Sequence, residues 1–158
     1  MSEHSPGVVE NSEFLARFVF SPMHFNRNGK LKPSVFSHVQ TRGCSIQRES
    51  IANNDHAFAM VQEVFNSNSD TAWQGVLFGQ CGDVRSIMVN GNRRSICIYD
   101  TADQENPAHG EMCQSEHFEE DDFAEIRHDL FVAFANSNLT PPPEYRGGAV
   151  WNRLTSHI

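Results

Sequence analysis

The run VRSIMVNGNRRSICIYD, residues 84–100, constrains the fold more than any other part of the chain. Two alternating, β-branched stretches flank Asn90-Gly91-Asn92, and Asn-Gly tolerates the positive φ values that a tight turn between strands demands. The run therefore predicts a β-hairpin, with Ile96 and Ile98 on one face and Ser95, Cys97 and Tyr99 on the other. Other short β-rich runs add strands to it: EFLARFVF (13–20), buried and closed by Ser21-Pro22, then GCSIQRES (43–50) and WQGVLFG (73–79). Asn28-Gly29 marks a turn, followed by a brief extended piece at SVFSHV (34–39).

Two segments switch to a helical period. Ala57, Val61, Val64 and Phe65 share a face, with Phe58 at its margin, which predicts a helix from an N-cap at Ser50 to about Phe65. Phe123, Ile126, Leu130 and Phe134 recur at i, i+3, i+7 and i+11, with Phe131 and Val132 broadening the stripe. That predicts a helix near 120–136 whose Phe face packs on the sheet. The expected fold is a single α+β domain, a mostly antiparallel sheet of four to five strands with two main helices packed on it.

At 158 residues one core suffices, and twelve Phe against two each of Tyr and Trp point to a Phe-rich interior. Residues 1–12 read as a polar tail expected to fray, 13–139 as the domain, and 140–158 as a Pro-rich turn and a segment docking back through Val150, Trp151 and Leu154. No apolar run reaches the ~18–20 residues of a membrane helix, and MSEHSPGVVENSE lacks the features of a secretory signal, so a cytoplasmic protein is expected. Cys44, Cys81, Cys97 and Cys113 form no CxxC and are expected to be reduced, unpaired thiols.

The formal charge of −8 disfavours attachment to phosphate backbones. Acidity is uneven: Glu116, Glu119, Glu120, Asp121, Asp122, Glu125 and Asp129 crowd one segment against Arg127, while Arg42, Arg48, Arg85, Arg93 and Arg94 lie earlier. Glu119, Glu120, Asp121 and Asp122 are thus a candidate surface for a basic partner, at a place where carboxylates also complement a helix dipole. Arg93 and Arg94, at the hairpin tip, offer a phosphate contact, although two arginines on a turn are ordinarily solvated.

The chemistry-bearing stretch is NPAHGEMCQSEHF, residues 106–118. His109, Cys113 and His117 follow at intervals of four, and imidazole and thiolate are zinc ligands. On a straight helix they would span about 12 Å, so all three cannot reach one ion. A chelating pair would need a further ligand such as His56, Cys44 or Cys81. The simpler reading is a polar turn opened by Pro107, with Cys113 inward and both histidines in solvent; no metal and no cofactor are expected. His109-Gly110-Glu111 matches the H-x-E half of a zinc deaminase signature, but the P-C-x-x-C half has nothing to supply it after Cys113. G-x-G-x-x-G, P-loop, G-x-S-x-G and H-E-x-x-H patterns are absent. FVFSPMHF reads as core before ligand box.

A metal-free acid/base site is the stronger enzymatic variant. It places His109 on a turn behind Asn106-Pro107, after a strand ending at Asp100, with Glu111, Arg48 and His24 as acid, anion-binding cation and second imidazole.

GKLKPSVF, GCSIQRES, GVLFG and ENPAHGEMC, in that order, resemble a set of small uncharacterised bacterial or phage proteins carrying S-x-F, S-[VI]-x-R and N-P-A-H elements, over roughly residues 20–135. The resemblance implies no established activity and draws attention to Phe36, Arg48, Asn106 and His109. Two functions remain. The first in rank is a small acidic interaction or accessory protein acting through a protein partner or self-association. The second is a small metal-independent enzyme using His109 with Glu111 and Arg48.

Overall fold

The computed structural model describes residues 2–135 and 139; the expected docking of Val150, Trp151 and Leu154 lies outside them. The architecture is α+β. Strands β1 (Phe14–Ser21), β2 (Cys44–Arg48), β3 (Ala72–Gln80), β6 (Ile96–Asp100) and β7 (His109–Gln114) form one sheet in the order β3-β1-β2-β7-β6. Every pairing in it is antiparallel.

One face of the sheet is fully covered. Leu15, Val19, Ile46, Leu77, Ile96 and Met112 pack against a 3-10 helix (Pro33–Gln40) and helix α3 (Glu120–Ala135). The predicted stripe Phe123, Ile126, Leu130 and Phe134 is fully buried there, and the Phe36 and Phe134 rings meet at 4.9 Å. Val132, by contrast, is exposed and lies outside the stripe.

The other face is covered by half. Helix α1 (Asn54–Ser67) lays Ala57, Met60 and Val61 over Ala16, Phe18, Phe20, Val76 and Phe78 of β1 and β3, with Trp73 stacked on Phe18 at 4.8 Å. Over β7 and β6 the same face carries His109, Glu111, Cys113, Cys97 and Tyr99, which are half-buried or exposed. That uncovered half makes a groove alongside α1.

Several elements differ from expectation for local reasons. SVFSHV is helical, because Pro33 at the first helical turn starts a 3-10 helix that buries Val35, Phe36 and Val39. Helix α1 starts three residues later than predicted, since Asn53 and not Ser50 is the N-cap, its side chain accepting from the His56 N–H at 3.0 Å. The hairpin is present but short: β4 (Met88–Val89) pairs with β5 (Arg93–Arg94) around Asn90 and Gly91, which have φ of 53° and 75°. Before it, Val84 belongs to a short helix α2 (Cys81–Arg85). After it the chain bends at Ser95, which is buried and donates to the Ile87 carbonyl at 2.9 Å, and β6 then joins the main sheet.

The N-terminal segment, from residue 2, is docked on the domain. Val9 is in the core, Ser2 Oγ donates to the Ala102 carbonyl at 2.6 Å, and Ser5 Oγ donates to Asp100. Arg48 holds it: Nε and Nη2 donate to the Glu13 carboxylate at 2.9 and 2.6 Å, and the Gly7 and Val8 carbonyls and Asp100 take the rest at 2.7, 3.0 and 3.1 Å. The four cysteines are unpaired. No helix among the described residues is long and apolar enough to cross a membrane.

Candidate functional site

Residues 109–114 form a strand, not a turn or a helix, and this changes which side chains belong together. Alternation along β7 places His109, Glu111 and Cys113 on one face and buries Met112 on the other. The interval of four therefore misleads. His117 lies beyond the strand, 77 % exposed beside Glu119, and no three His, Cys, Asp or Glu side chains converge as a ligand set among the described residues.

The groove consists of two adjoining hollows, of about 510 and 610 Å³, which share Met60, Glu63 and Glu111 on their walls. The first holds His109, Thr101 and Asn106. Thr101 Oγ1 and His109 Nδ1 share a hydrogen bond of 2.6 Å, which fixes the ring and leaves Nε2 as the nitrogen without a partner among the described residues. Asp103 Oδ1 accepts from the Glu105 and Asn106 N–H groups at 2.9 and 2.7 Å, and the Asn106 carbonyl accepts from the His109 N–H at 3.1 Å. This tight turn explains why an Asn-Pro pair precedes the strand. Asn106 is buried, and its Oδ1 has no hydrogen-bond partner among the described residues. The same is true of Gln47 Oε1, on the residue paired with His109 across β2. Gln47 is fully buried and lines neither hollow, whereas Asn106 does line one, and an orphaned acceptor on a lining residue is a group that a ligand's N–H or O–H would satisfy.

The second hollow is lined by Arg17, His24, His38, Arg42, Ser45 and Glu111, among others. β1 and β2 pair at Leu15 and Ala16 and then part. Arg17 fills the gap, donating from Nε and Nη2 to the Val35 carbonyl at 3.2 and 2.8 Å and from Nη1 to the Ser45 carbonyl at 3.2 Å. His24 Nδ1 accepts from the Phe20 N–H at 2.9 Å. Burial, then the charges of Arg17, His38 and Lys32, push its proton affinity down to about 3, so the ring is neutral. His38 is likewise lowered, by burial and then by Arg42 and Arg17, and accepts from Arg42 Nη2 at 3.3 Å. Glu111 approaches from the β7 side, its Oε2 2.9 Å from where a Cβ on Gly43 would stand.

The structure thus brings His109, Glu111, Asn106 and His24 to one groove and sets Arg48 apart. All five N–H groups of Arg48 are occupied within the molecule, and its charge is matched by Glu13 and Asp100, so it has no donor left for a ligand. The acidic approach lies elsewhere. Glu119, Glu120 and Asp121 are exposed at the start of α3 and Asp122 half-buried, with Glu120 reaching Arg127 at 3.9 Å. Arg93 is paired with Glu116 and lies over the Phe118 ring at 5.3 Å, and Arg94 is exposed. Of the four residues that the resemblance singles out, Phe36 is core, Arg48 a clamp, and Asn106 and His109 line the groove.

Sequence reasoning overlooked Thr101, Glu63, Arg17, His38 and Arg42 as groove residues. One signal was there for Arg17: a cation inside the apolar strand run EFLARFVF must find buried acceptors. No protein-family model, curated protein or solved structure matches the chain.

Proposed function

We propose that the chain is a small enzyme that binds a small molecule in the groove between α1 and β7 and moves a proton at His109 Nε2, with Glu111 as the neighbouring carboxylate. One observation carries the reading: Nδ1 of His109 is held by Thr101 at 2.6 Å while the ring lines a hollow with an orphaned buried acceptor, Asn106 Oδ1. A histidine fixed through one nitrogen and open at the other is the arrangement that general acid/base work requires. With Nδ1–H donating to Thr101, Nε2 is a base in the neutral ring and an acid in the imidazolium that forms when it takes the proton.

This reverses the order in which the sequence ranks the two functions. A protein partner docking on Glu119, Glu120, Asp121 and Asp122 has the exposure of those side chains in its favour, but their place at the start of α3 has a sufficient cause in the helix dipole. Arg48 leaves the enzymatic set, since its bonds are internal.

The test is turnover of ester, amide and phosphoester model compounds by the purified chain and by His109→Gln. The expected loss is about 10²–10⁴-fold at an unchanged melting temperature, with a smaller loss in Thr101→Val. Turnover that survives in His109→Gln refutes the reading.

A further inference from the structure

We propose that the Arg17 end of the groove holds the single anionic group, carboxylate or phosphate, of the molecule on which His109 acts; the substrate class rests on the reading of His109 given above. The observation behind it is a buried cation with no buried anion. Arg17 is 6 % exposed and donates only to backbone carbonyls. It makes no ion pair among the described residues, and one N–H on each of Nη1 and Nη2 is left without a protein acceptor. Burying a guanidinium on these terms is unfavourable unless an anion joins it, and the N–H left on Nη1 and on Nη2 are donors that the oxygens of a carboxylate or phosphate accept.

The surroundings agree. Arg42 and His38 stand beside Arg17 in the same hollow, in a molecule whose net charge is −8. Two cations converging there, against the general charge, need a local reason, and an anionic ligand supplies one. The opposing charges in the hollow are Glu63 on α1 and Glu111 on β7. They confine an anion to the β1 end and repel a ligand that is anionic along its length, which excludes a nucleic-acid strand or a polyphosphate. The remainder of the ligand lies against those carboxylates, where a neutral donor or an ammonium group fits.

Reach sets the ligand's size. Arg17 Nη1 binds the Ser45 carbonyl, Ser45 pairs with Glu111, and Gln47 pairs with His109. The anion end and His109 are therefore two strand residues apart in register, roughly 7 Å. A molecule with its anionic group on Arg17 and its reacting atom a few bonds away spans that distance.

The test uses the full chain at low salt and pH 7, titrated separately with acetate and with inorganic phosphate. It reads the Arg17 side-chain Nε–H resonance and the Gly43 and Ser45 amides. The expected result is a saturable shift, weakened roughly tenfold or more in Arg42→Gln, whose exposed position and melting temperature guard against a folding artefact. The anion that saturates at lower concentration identifies the head group. His109→Gln should bind that anion as the parent does, which separates loss of turnover from loss of anion binding. No saturable shift with either anion, or equal affinity in Arg42→Gln, overturns the anion site and leaves His109 to be judged on its own test.

Discussion

Arg48 and Arg17 sit on neighbouring strands and are almost equally buried, at 3 % and 6 % exposure, yet they are solved in opposite ways. Arg48 has two carboxylates and two carbonyls, and its five N–H groups are all used. Burial opposes its charge, but Glu13 and Asp100 more than restore it. Arg17 has carbonyls alone and faces a hollow. The first arrangement is closed, and its purpose is to hold residues 2–13 on the sheet. The second is open, and an open buried charge marks where a molecule is missing something that it can bind. The difference teaches that burial of a cation is uninformative until its acceptors are counted.

Substitution of the two arginines tests the contrast directly. Arg48→Met strands the Glu13 and Asp100 carboxylates, and urea unfolding should register a loss of about 3–5 kcal/mol, together with early proteolytic cleavage before Phe14. Arg17→Met orphans only the Val35 and Ser45 carbonyls, so the same measurement should give about 1–3 kcal/mol. Equal losses would break the comparison.

Acidification should separate the two corners more finely. The unfolded chain protonates His24 below about pH 6.5, whereas the folded chain refuses that proton until about pH 3. Stability near Arg17 is therefore complete above 6.5 and declines as pH falls from there towards 3, by up to about 1.4 kcal/mol per pH unit. At the Arg48 corner, burial raises the Glu13 carboxyl, but the Arg48 hydrogen bond, the Glu10 N–H and the Arg48 charge outweigh it, and the net is a lowered value. That contribution is present above about pH 4.5 and lost as pH drops through the folded value. His24→Asn keeps an acceptor for the Phe20 N–H and removes the earlier decline, so unfolding curves between pH 7 and 5 should be flatter than the parent's. A parallel decline in both removes His24 as the cause.

Much of the fold was legible because periodicity and burial coincide in it. β1, β2, β3 and the α3 stripe are read from apolar residues that do face a core. The site was less legible because β7, HGEMCQ, has no β-branched or aromatic residue to announce a strand. Tertiary context sets it: a Cβ on Gly110 would stand 2.8 Å from Ile46 Cδ1 and 3.0 Å from the Tyr99 carbonyl, so glycine is what lets the neighbouring strands close on it. With the strand unseen, intervals of four grouped His109 with Cys113 and His117, and although His109 and Glu111 are paired from the sequence, they are placed on a turn together with Arg48, which the strand register sets apart. The groove itself has no sequence signature, since it exists only because α1 covers half a face.

The clasp at the N-terminal segment has a consequence for how the molecule is made. Ser5 meets a residue 95 positions later, and Ser2 one 100 positions later. On the ribosome residues 2–5 emerge early, and while Arg48 can already hold Gly7, Val8 and Glu13, the acceptors of Ser2 and Ser5 come only with β6 and the turn after it, so this end of the segment closes last.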